Sequence, residues 1–320
     1  MAHFLKKSSS HRKPPARPLA LFAAASIVSL ALAPAHAQET PEPAAAETAT
    51  DSATGAAAET TETALIDYSK IDEFFDGFSI KKGDRRQFRY AQLQRQAVQT
   101  LGAYSTFLAN LKPSTFSENE QLAYWLNLRN ILVVRAIADE TPRRSLKAAR
   151  GAFDDPGEMW TRKRLAVEGE QMSIHAIEQK ILQNFSDPNV LYGLYQGIED
   201  GPALNAPAMF SGPTVNEQLQ ERAKFFVNAR RVMSVKKTAL RAPGVYEWYK
   251  PALFNDSDDA VLAHLKAHAG GDLQAALADA EKIDFRKITY RIDAAPAPRQ
   301  VSDFNRAPRG GFTGGGGSGS

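Results

Sequence analysis

The sequence has 320 residues, of which 43% are hydrophobic and 23% are charged, and its formal net charge is +3. This length and composition allow a sizeable core in one large domain or two small ones. The absence of cysteine excludes disulfides, thiolate catalysis, zinc–thiolate sites and iron–sulfur clusters.

Charge is distributed unevenly along the chain. Residues 1–37 carry five basic side chains and no acid, and residues 38–64 carry six acids and no base. Removing both segments from the formal charge of +3 leaves +4 for residues 65–320. This surplus is mild and contains no basic block, so we predict that the chain does not bind nucleic acid.

Residues 1–37 have the pattern of a secretory signal peptide. A basic segment ends at Arg17, the apolar segment 19–33 follows, and Ala35-His36-Ala37 fits the small-x-small cleavage rule. The alternative is an uncleaved membrane anchor, for which the apolar segment is short. We therefore expect cleavage before Gln38, a periplasmic protein, and no stable membrane span after cleavage.

Two further segments lack the composition of a folded domain. Residues 38–64 are rich in Ala, Thr, Glu and Pro and contain no aromatic residue, so they cannot bury enough surface to offset the entropy of ordering. They are predicted to be a disordered linker. Residues 296–320 form a predicted flexible tail, which is rich in glycine from residue 310 onward. The folded domain is expected to span residues 65–295.

Within this domain, apolar periodicity predicts more helices than strands. The predicted helices, besides a central one, cover residues 84–111, 143–150, 173–184, 214–227, 259–268 and 274–280. The predicted strands cover residues 159–167, 169–172, 190–195, 230–235 and 283–292. Residues 196–213 contain three prolines and three glycines and are expected to form an irregular loop. The predicted architecture is a helix-rich α+β single domain, with helices packed on a small, mostly antiparallel sheet.

The central helix is predicted over residues 117–139. Ser117 and Glu120 have the spacing of a capping box, which marks a helix start. Apolar side chains then fall on nearly every side of the helix, and such a helix is normally buried. Because the apolar run is broken at Arg129, it is too short to span a membrane.

The polar residues inside this helix are candidates for function. Asn127 and Asn130 are three positions apart and share one face. They either tie the helix to nearby backbone or form the polar wall of a pocket, because a buried amide needs hydrogen-bond partners. Arg129 is expected to extend its guanidinium to solvent.

Several segments together resemble the DUF547 family. They are AYWLNLRN (123–130), SIHAIEQKIL (173–182), GIEDGPAL (197–204), LRAPGVYEWYKPAL (240–253) and KITYRID (287–293). The resemblance rests on the order and spacing of these segments and covers most of residues 68–293. It implies that the last two segments hold the C-terminal strands of the family fold.

Three departures from the family pattern bear on function. Gln179 stands where the family usually has His after Ile-Glu, Gly201 where it usually has Cys before Pro, and Arg129 where it has Tyr before the second Asn. A cysteine brought close to a histidine would suit thiol chemistry, because histidine activates the thiolate. The resemblance therefore implies a divergent member that has lost both partners of such a pair.

Other candidate residues are open to simpler interpretations. Glu178 and His175 could pair on one helix face, and we interpret this as a surface pair. His264 and His268 have the i, i+4 spacing of metal ligands but no third ligand, so we predict a solvated helix face and neither metal nor cofactor.

The aromatic run of Tyr246, Trp248 and Tyr249 either packs in the core or forms a lip for a glycan or peptide.

These features favour a non-catalytic binding or scaffolding protein whose partner is an envelope protein, a peptide or a glycan. The alternative is a hydrolase or transferase that uses a non-cysteine site, with Glu178 as acid or base and amides stabilising an oxyanion. The candidate cleft residues are the same for both, namely Glu178, Asn127, Asn130, Gln179 and Gly201. A serine or aspartate beside Gly201 would favour the enzyme.

Overall fold

The computed structural model describes residues 66–82, 85–93, 95–140, 146, 156–229 and 232–296. The predicted signal peptide, the predicted linker, the predicted tail beyond residue 296 and the basic helix predicted over residues 143–150 (Leu146 apart) lie outside the described residues. Predictions about those segments remain predictions.

The described residues form a helix-rich α+β domain, as predicted. Its helices are α1 (Ser69–Gly77), α2 (Arg95–Ala109), α3 (Glu118–Glu140), α4 (Glu158–Thr161), α5 (Ile174–Asn184), α6 (Val215–Asn228), α7 (Val245–Leu253), α8 (Asp258–His268) and α9 (Gly271–Leu277). Its strands are β1 (Ser79–Lys82), β2 (Arg85–Phe88), β3 (Leu165–Val167), β4 (Glu170–Met172), β5 (Ser234–Lys236), β6 (Ala239–Pro243) and β7 (Lys282–Arg286).

Helix α3 is the centre of the domain, as its apolar pattern predicts. The hydroxyl of Ser117 accepts a hydrogen bond from the Glu120 amide at 3.4 Å, which confirms the predicted start. Sixteen residues of α3 are buried, on all sides, and α2, α5 and α6 pack against it. The 3₁₀ helix Pro188–Gly193 also passes close, since a Cβ on Gly193 would lie 2.9 Å from the Leu126 side chain. Only glycine allows this approach.

Three small sheets stand where one sheet was expected. Among the described residues, β1 pairs with β2 and β3 with β4, both antiparallel, and β5, β6 and β7 form a third sheet. The predicted turn at Glu168-Gly169 joins β3 to β4, and both residues have positive φ. In the third sheet β5–β6 is antiparallel and β6–β7 is parallel, so α7, α8 and α9 make the crossover.

Several boundaries differ from the sequence prediction. The start of the predicted helix 84–111 is strand β2, and α2 begins only at Arg95. The predicted strand 190–195 begins as a 3₁₀ helix, and the predicted strand 159–167 is split into α4 and β3. The segment 240–253, expected to hold C-terminal strand, is strand only in β6 and continues as α7.

The end of the domain returns to its beginning. Beyond β7, isolated bridges connect Ile292 to Ile198 and Ala294 to Phe88. The Ala295 amide donates a hydrogen bond to the Phe88 carbonyl at 2.8 Å. The predicted final strand 283–292 is therefore shorter than expected, and its last part makes single bridges.

Within the described part of the chain, no helix combines the length and the apolar character needed to cross a bilayer.

Candidate functional site

A buried ion pair connects the central helix to α5. Arg129 is 0% exposed and Glu178 is 3% exposed. The Nε of Arg129 donates to Oε2 of Glu178 at 3.0 Å, and Nη2 of Arg129 donates to the same oxygen. The prediction that Arg129 reaches solvent is wrong, and so is the interpretation of Glu178 as part of a surface pair. A charge inside an all-round apolar helix is stable only beside a counter-charge.

The second carboxylate oxygen is engaged by a side chain from α7. The hydroxyl of Tyr249 donates to Oε1 of Glu178 at 2.9 Å, and Nε2 of Gln196 donates to the Tyr249 hydroxyl. Gln196 is fully buried, and its Nε2 also lies 3.2 Å from the Leu194 carbonyl. Gln196, Tyr249 and Glu178 therefore form a chain of hydrogen bonds that ends at the carboxylate, and each bond in such a chain strengthens the next.

Asn130 extends this network to the backbone. Its Nδ2 donates to the Gly193 carbonyl at 2.8 Å, and its Oδ1 accepts from the Tyr195 amide at 3.2 Å. Nη1 of Arg129 donates to the same Oδ1 at 3.2 Å and to the Tyr195 carbonyl at 2.8 Å. These bonds hold the segment after the 3₁₀ helix against α3.

Asn127 makes a separate pair of hydrogen bonds with the backbone of Phe210. Its Nδ2 donates to the Phe210 carbonyl and its Oδ1 accepts from the Phe210 amide, both at 2.8 Å. The interpretation that the two amides tie the helix to neighbouring backbone is confirmed for Asn127 and Asn130. Their hydrogen-bonding capacity is used by the fold, so they do not form the polar wall of an open pocket.

Gly201 lies next to the network and Gln179 does not join it. A Cβ on Gly201 would lie 3.1 Å from Cβ of Gln196, so the glutamine stem occupies the adjoining space. Gly201 does not have a positive φ, unlike Gly169, Gly197 and Gly271. Gln179 is half-buried, and its side chain makes no hydrogen bond within the described residues.

We name the buried cluster of Arg129, Asn130, Glu178, Gln196 and Tyr249 the core network. Sequence reasoning found Asn130 and Glu178 but missed the roles of Arg129, Gln196 and Tyr249. The available signal was Arg129 itself, because a fully apolar helix surrounding an arginine implies a buried carboxylate partner elsewhere.

The two histidines of α8 belong to an aromatic cluster. Nε2 of His264 lies 2.9 Å from the Tyr192 hydroxyl, and the two rings stack at 5.8 Å. Burial lowers the pKa of His264 to about 4, and the neighbouring His268 adds to this effect. The predicted solvated face is therefore wrong for His264. The described residues contain no group of three or more side chains that could hold a metal.

The aromatic run on α7 is core. Tyr246 and Tyr249 are fully buried, and Trp248 is half-buried against Tyr290, with ring centroids 5.7 Å apart. A role for the two tyrosines as a lip for a glycan or peptide is wrong, because neither reaches the surface.

An open cleft of about 410 Å³ lies on another part of the domain, between α6, the β1–β2 hairpin and the loop at residues 205–207. Lys81, Arg86 and Arg222 contribute its positive charge, and Phe225 lines its apolar side. We call it the cationic cleft. Sequence reasoning missed it because its residues come from three separated segments and match no motif.

Comparison with known proteins agrees with the resemblance seen in the sequence. Residues 113–227 match the model of DUF547, described as a protein of unknown function. This segment runs from the 3₁₀ turn before α3 to the last turn of α6, so it contains the core network except for Tyr249. No curated protein and no solved structure matches the chain.

Proposed function

We propose that the domain is a non-catalytic binding or scaffolding protein of the cell envelope, exported to the periplasm by residues 1–37. The observation that supports the non-catalytic part is the buried ion pair of Arg129 and Glu178. Glu178 is the family position left as candidate acid or base, and both of its oxygens accept hydrogen bonds from protein groups. A catalytic base must reach the proton that it removes, so this engagement favours a structural carboxylate.

Two of the three departures from the family pattern, Arg129 and Gly201, lie at this buried cluster. Arg129 stands where the resemblance implies a tyrosine, and it supplies the cation that pairs with Glu178. Gly201 stands where it implies a cysteine, and Gln196 fills the space beside it. Chain neighbours apart, the three heavy atoms nearest to a Cβ at Gly201 belong to Gln196 and Ile198, neither of which is a nucleophile. This favours the binding protein over the hydrolase or transferase.

The proposed partner is an envelope protein, a peptide or a glycan. Support for a binding role comes from the cationic cleft, whose volume of about 410 Å³ lies in the range of small-ligand sites. The cleft is separate from the core network, so loss of chemistry at the family positions leaves it intact.

The stability of Glu178 variants tests the proposal. Glu178→Gln leaves the Arg129 charge buried without its counter-ion, and we expect a loss of about 3–5 kcal/mol in the free energy of unfolding. Arg129→Met should cost a similar amount. The double variant Arg129→Met, Glu178→Gln should lose less than the sum of the two single losses, because no unpaired charge remains. Urea denaturation of the three variants gives these values.

The matched control is Glu247→Gln, an exposed glutamate on α7, for which we expect a change within about 0.5 kcal/mol. If Glu178→Gln matches the parent or exceeds its stability, the structural role is refuted, because replacing a functional carboxylate commonly costs activity and spares stability.

A further inference from the structure

The cationic cleft contains a buried arginine, Arg222, that forms no ion pair within the described residues, although the charge of Asp72 acts on it. Arg222 is 7% exposed, and Nη2 donates to the carbonyls of Pro207 at 2.6 Å and Ala208 at 3.1 Å. Its guanidinium lies 3.8 Å from the centre of the Phe210 ring. Within the described residues Arg222 forms no ion pair. These contacts fix the guanidinium in place and leave its charge uncompensated by a direct partner.

A buried charge of this kind is costly, and the cleft gives an anion access to it. Burial lowers the pKa of Arg222 to about 10, while the charge of Asp72 opposes this shift. Arg222 therefore stays protonated at neutral pH. An anion entering the cleft would supply a direct ion-pair partner in addition to the charge of Asp72, and an immobilised guanidinium loses little entropy in binding it.

Two further cations face the cleft from the hairpin. Lys81 and Arg86 are directly opposite each other in the β1–β2 register. Like charges at such positions destabilise a hairpin. Asp76 offsets part of this repulsion through an ion pair with Arg86 at 2.7 Å, whereas Lys81 is exposed and makes no ion pair among the described residues. A ligand anion between the hairpin and α6 would relieve the remaining repulsion.

The opposite side of the cleft comes from one face of α6, on which Phe225 is the apolar side chain. Gln218, Glu221, Arg222 and Phe225 have helical i, i+3, i+4, i+7 spacing and all line the cleft. Phe225 is 41% exposed, which is unusual for a large aromatic side chain in this domain. Pro207 provides a second apolar surface. Glu221 places one negative charge among the cations and thereby disfavours a highly charged polyanion.

We propose that the cationic cleft binds a carboxylate that is attached to an aromatic or large apolar group, such as the acidic end of a peptide. The carboxylate lies near Arg222 and Lys81, and the apolar group packs on Phe225. This inference rests on the binding role proposed above and names the ligand class. Arginine suits a carboxylate because its planar fork matches the two oxygens.

The test uses the full chain and two matched probes, N-acetylphenylalanine and its neutral amide. Amide chemical shifts are followed by NMR during titration of each probe. We expect saturable shifts with the carboxylate, in the β1–β2 hairpin and α6, and at least tenfold weaker binding of the amide. Raising the salt concentration should weaken the carboxylate complex.

Two charge variants locate the site. Lys81→Gln should weaken binding of N-acetylphenylalanine by about fivefold, because it removes an exposed cleft cation. Lys224→Gln removes an exposed lysine from the same helix outside the cleft lining and should leave the affinity unchanged. Phe225→Ala should also weaken the complex through loss of the apolar contact.

Equal affinity for the acid and the amide would overturn the proposal, as would equal effects of the two lysine variants. Inorganic phosphate and phenyl phosphate are titrated in parallel, and tighter binding of either would show a phosphate site and refute the carboxylate assignment. None of the cleft variants touches the core network. A negative result in the titration of the cleft therefore does not affect the conclusion from the Glu178 variants. A negative result with the Glu178 variants likewise leaves the titration interpretable.

Discussion

At the scale of single residues, Arg129 connects three parts of the domain. It lies on α3, its Nε and Nη2 hold Glu178 of α5, and its Nη1 holds the backbone of Tyr195. Because the guanidinium is planar and has five donors, one side chain fixes three directions at once. A lysine or an apolar residue at this position could not replace these contacts.

The residue-scale signals in the sequence were partly usable. Buried amides were expected at Asn127 and Asn130, because polar residues in an all-round apolar helix need partners. The partners themselves were not predictable, since Phe210 and Gly193 lie far along the chain and are reached through backbone groups that no side-chain pattern marks. Gln196 gave no signal either, because it falls in an irregular segment without periodicity.

Restoring the cysteine and histidine that the family resemblance implies tests whether positions 201 and 179 lie close together beside the core network. In Gly201→Cys with Gln179→His, an imidazole near the thiol would lower the thiol pKa from about 8.5. If residues 179 and 201 face each other, the double variant should react with iodoacetamide at neutral pH faster than Gly201→Cys alone. The chain has no other cysteine, so the alkylation rate reports this thiol only.

The single variant is the control for access, since both variants carry the thiol at the same buried place. Gln196 must yield by a few tenths of an ångström to admit the new Cβ at 3.1 Å, so far-UV circular dichroism must match the parent first. Equal rates in folded variants would show that the two positions no longer face each other.

At the scale of elements, prediction succeeded where caps and periodicity agreed. Helices α3 and α5 both begin after a serine whose hydroxyl accepts a backbone amide, Ser117 and Ser173. The 3₁₀ helix was mistaken for a strand because a short apolar run does not distinguish the two. Its own start signal was present, with Asp187 as the cap and Pro188 in the first turn.

Strand β2 was mistaken for helix for a different reason. Arg85, Arg86 and Gln87 are good helix formers, so local propensity pointed the wrong way. The strand exists because Phe88 is buried and its backbone meets the C-terminal residues of the domain. Tertiary contacts therefore override propensity here, and a single sequence does not show them.

Truncation of the central helix should show its role in the core. Trp125 is 3% exposed, packs edge-on against Tyr124 and lies beneath the Lys180 ammonium at 5.2 Å. We expect Trp125→Ala to lower the free energy of unfolding by about 3–5 kcal/mol, as large core truncations do. Chemical denaturation measures the loss.

The control on the same helix is Asp139→Ala. Asp139 is exposed and pairs only loosely with Arg135, at 3.6 Å. Its loss should cost less than about 0.5 kcal/mol. Comparable losses in the two variants would contradict the placement of α3 at the centre of the domain.

The aromatic cluster of α8 predicts a pH dependence. Burial lowers the pKa of His264 to about 4, whereas the unfolded chain titrates near 6.5. Between these values the unfolded state binds the extra proton, so stability falls as the pH falls from about 6.5 towards 4. His268 and Asp187 face this ring and act in opposite directions on its pKa.

Replacing His264 with glutamine, which does not titrate, should flatten this part of the stability profile. The titration of His264 should account for at most about 3 kcal/mol of the parent's loss across this window, at about 1.4 kcal/mol per pH unit. Urea midpoints at pH 7 and pH 4.5 for His264→Gln and the parent provide the comparison. An identical decline in both proteins would assign the effect to other groups.

At the scale of the whole molecule, we propose that residues 1–37 direct the chain to the periplasm. The Ala35-His36-Ala37 site predicts that the exported protein begins at Gln38. Intact-mass analysis of protein recovered from the periplasmic fraction should give the mass of residues 38–320. A mass that still includes Met1 to Ala37 would contradict cleavage before Gln38, and absence of the protein from this fraction would contradict the proposed export.

The closing bridge of the domain has a consequence for how the chain is made. The carbonyl of Phe88 accepts a hydrogen bond from the amide of Ala295, near the opposite end of the domain. Ile198 forms an isolated bridge with Ile292. While the polypeptide is still being synthesised, these partners are inside the ribosome, so the N-terminal hairpin has nothing to close against. The nascent chain therefore cannot complete these contacts until residues 292–295 emerge, and a chain that is still incompletely folded at that stage would suit the export route proposed above.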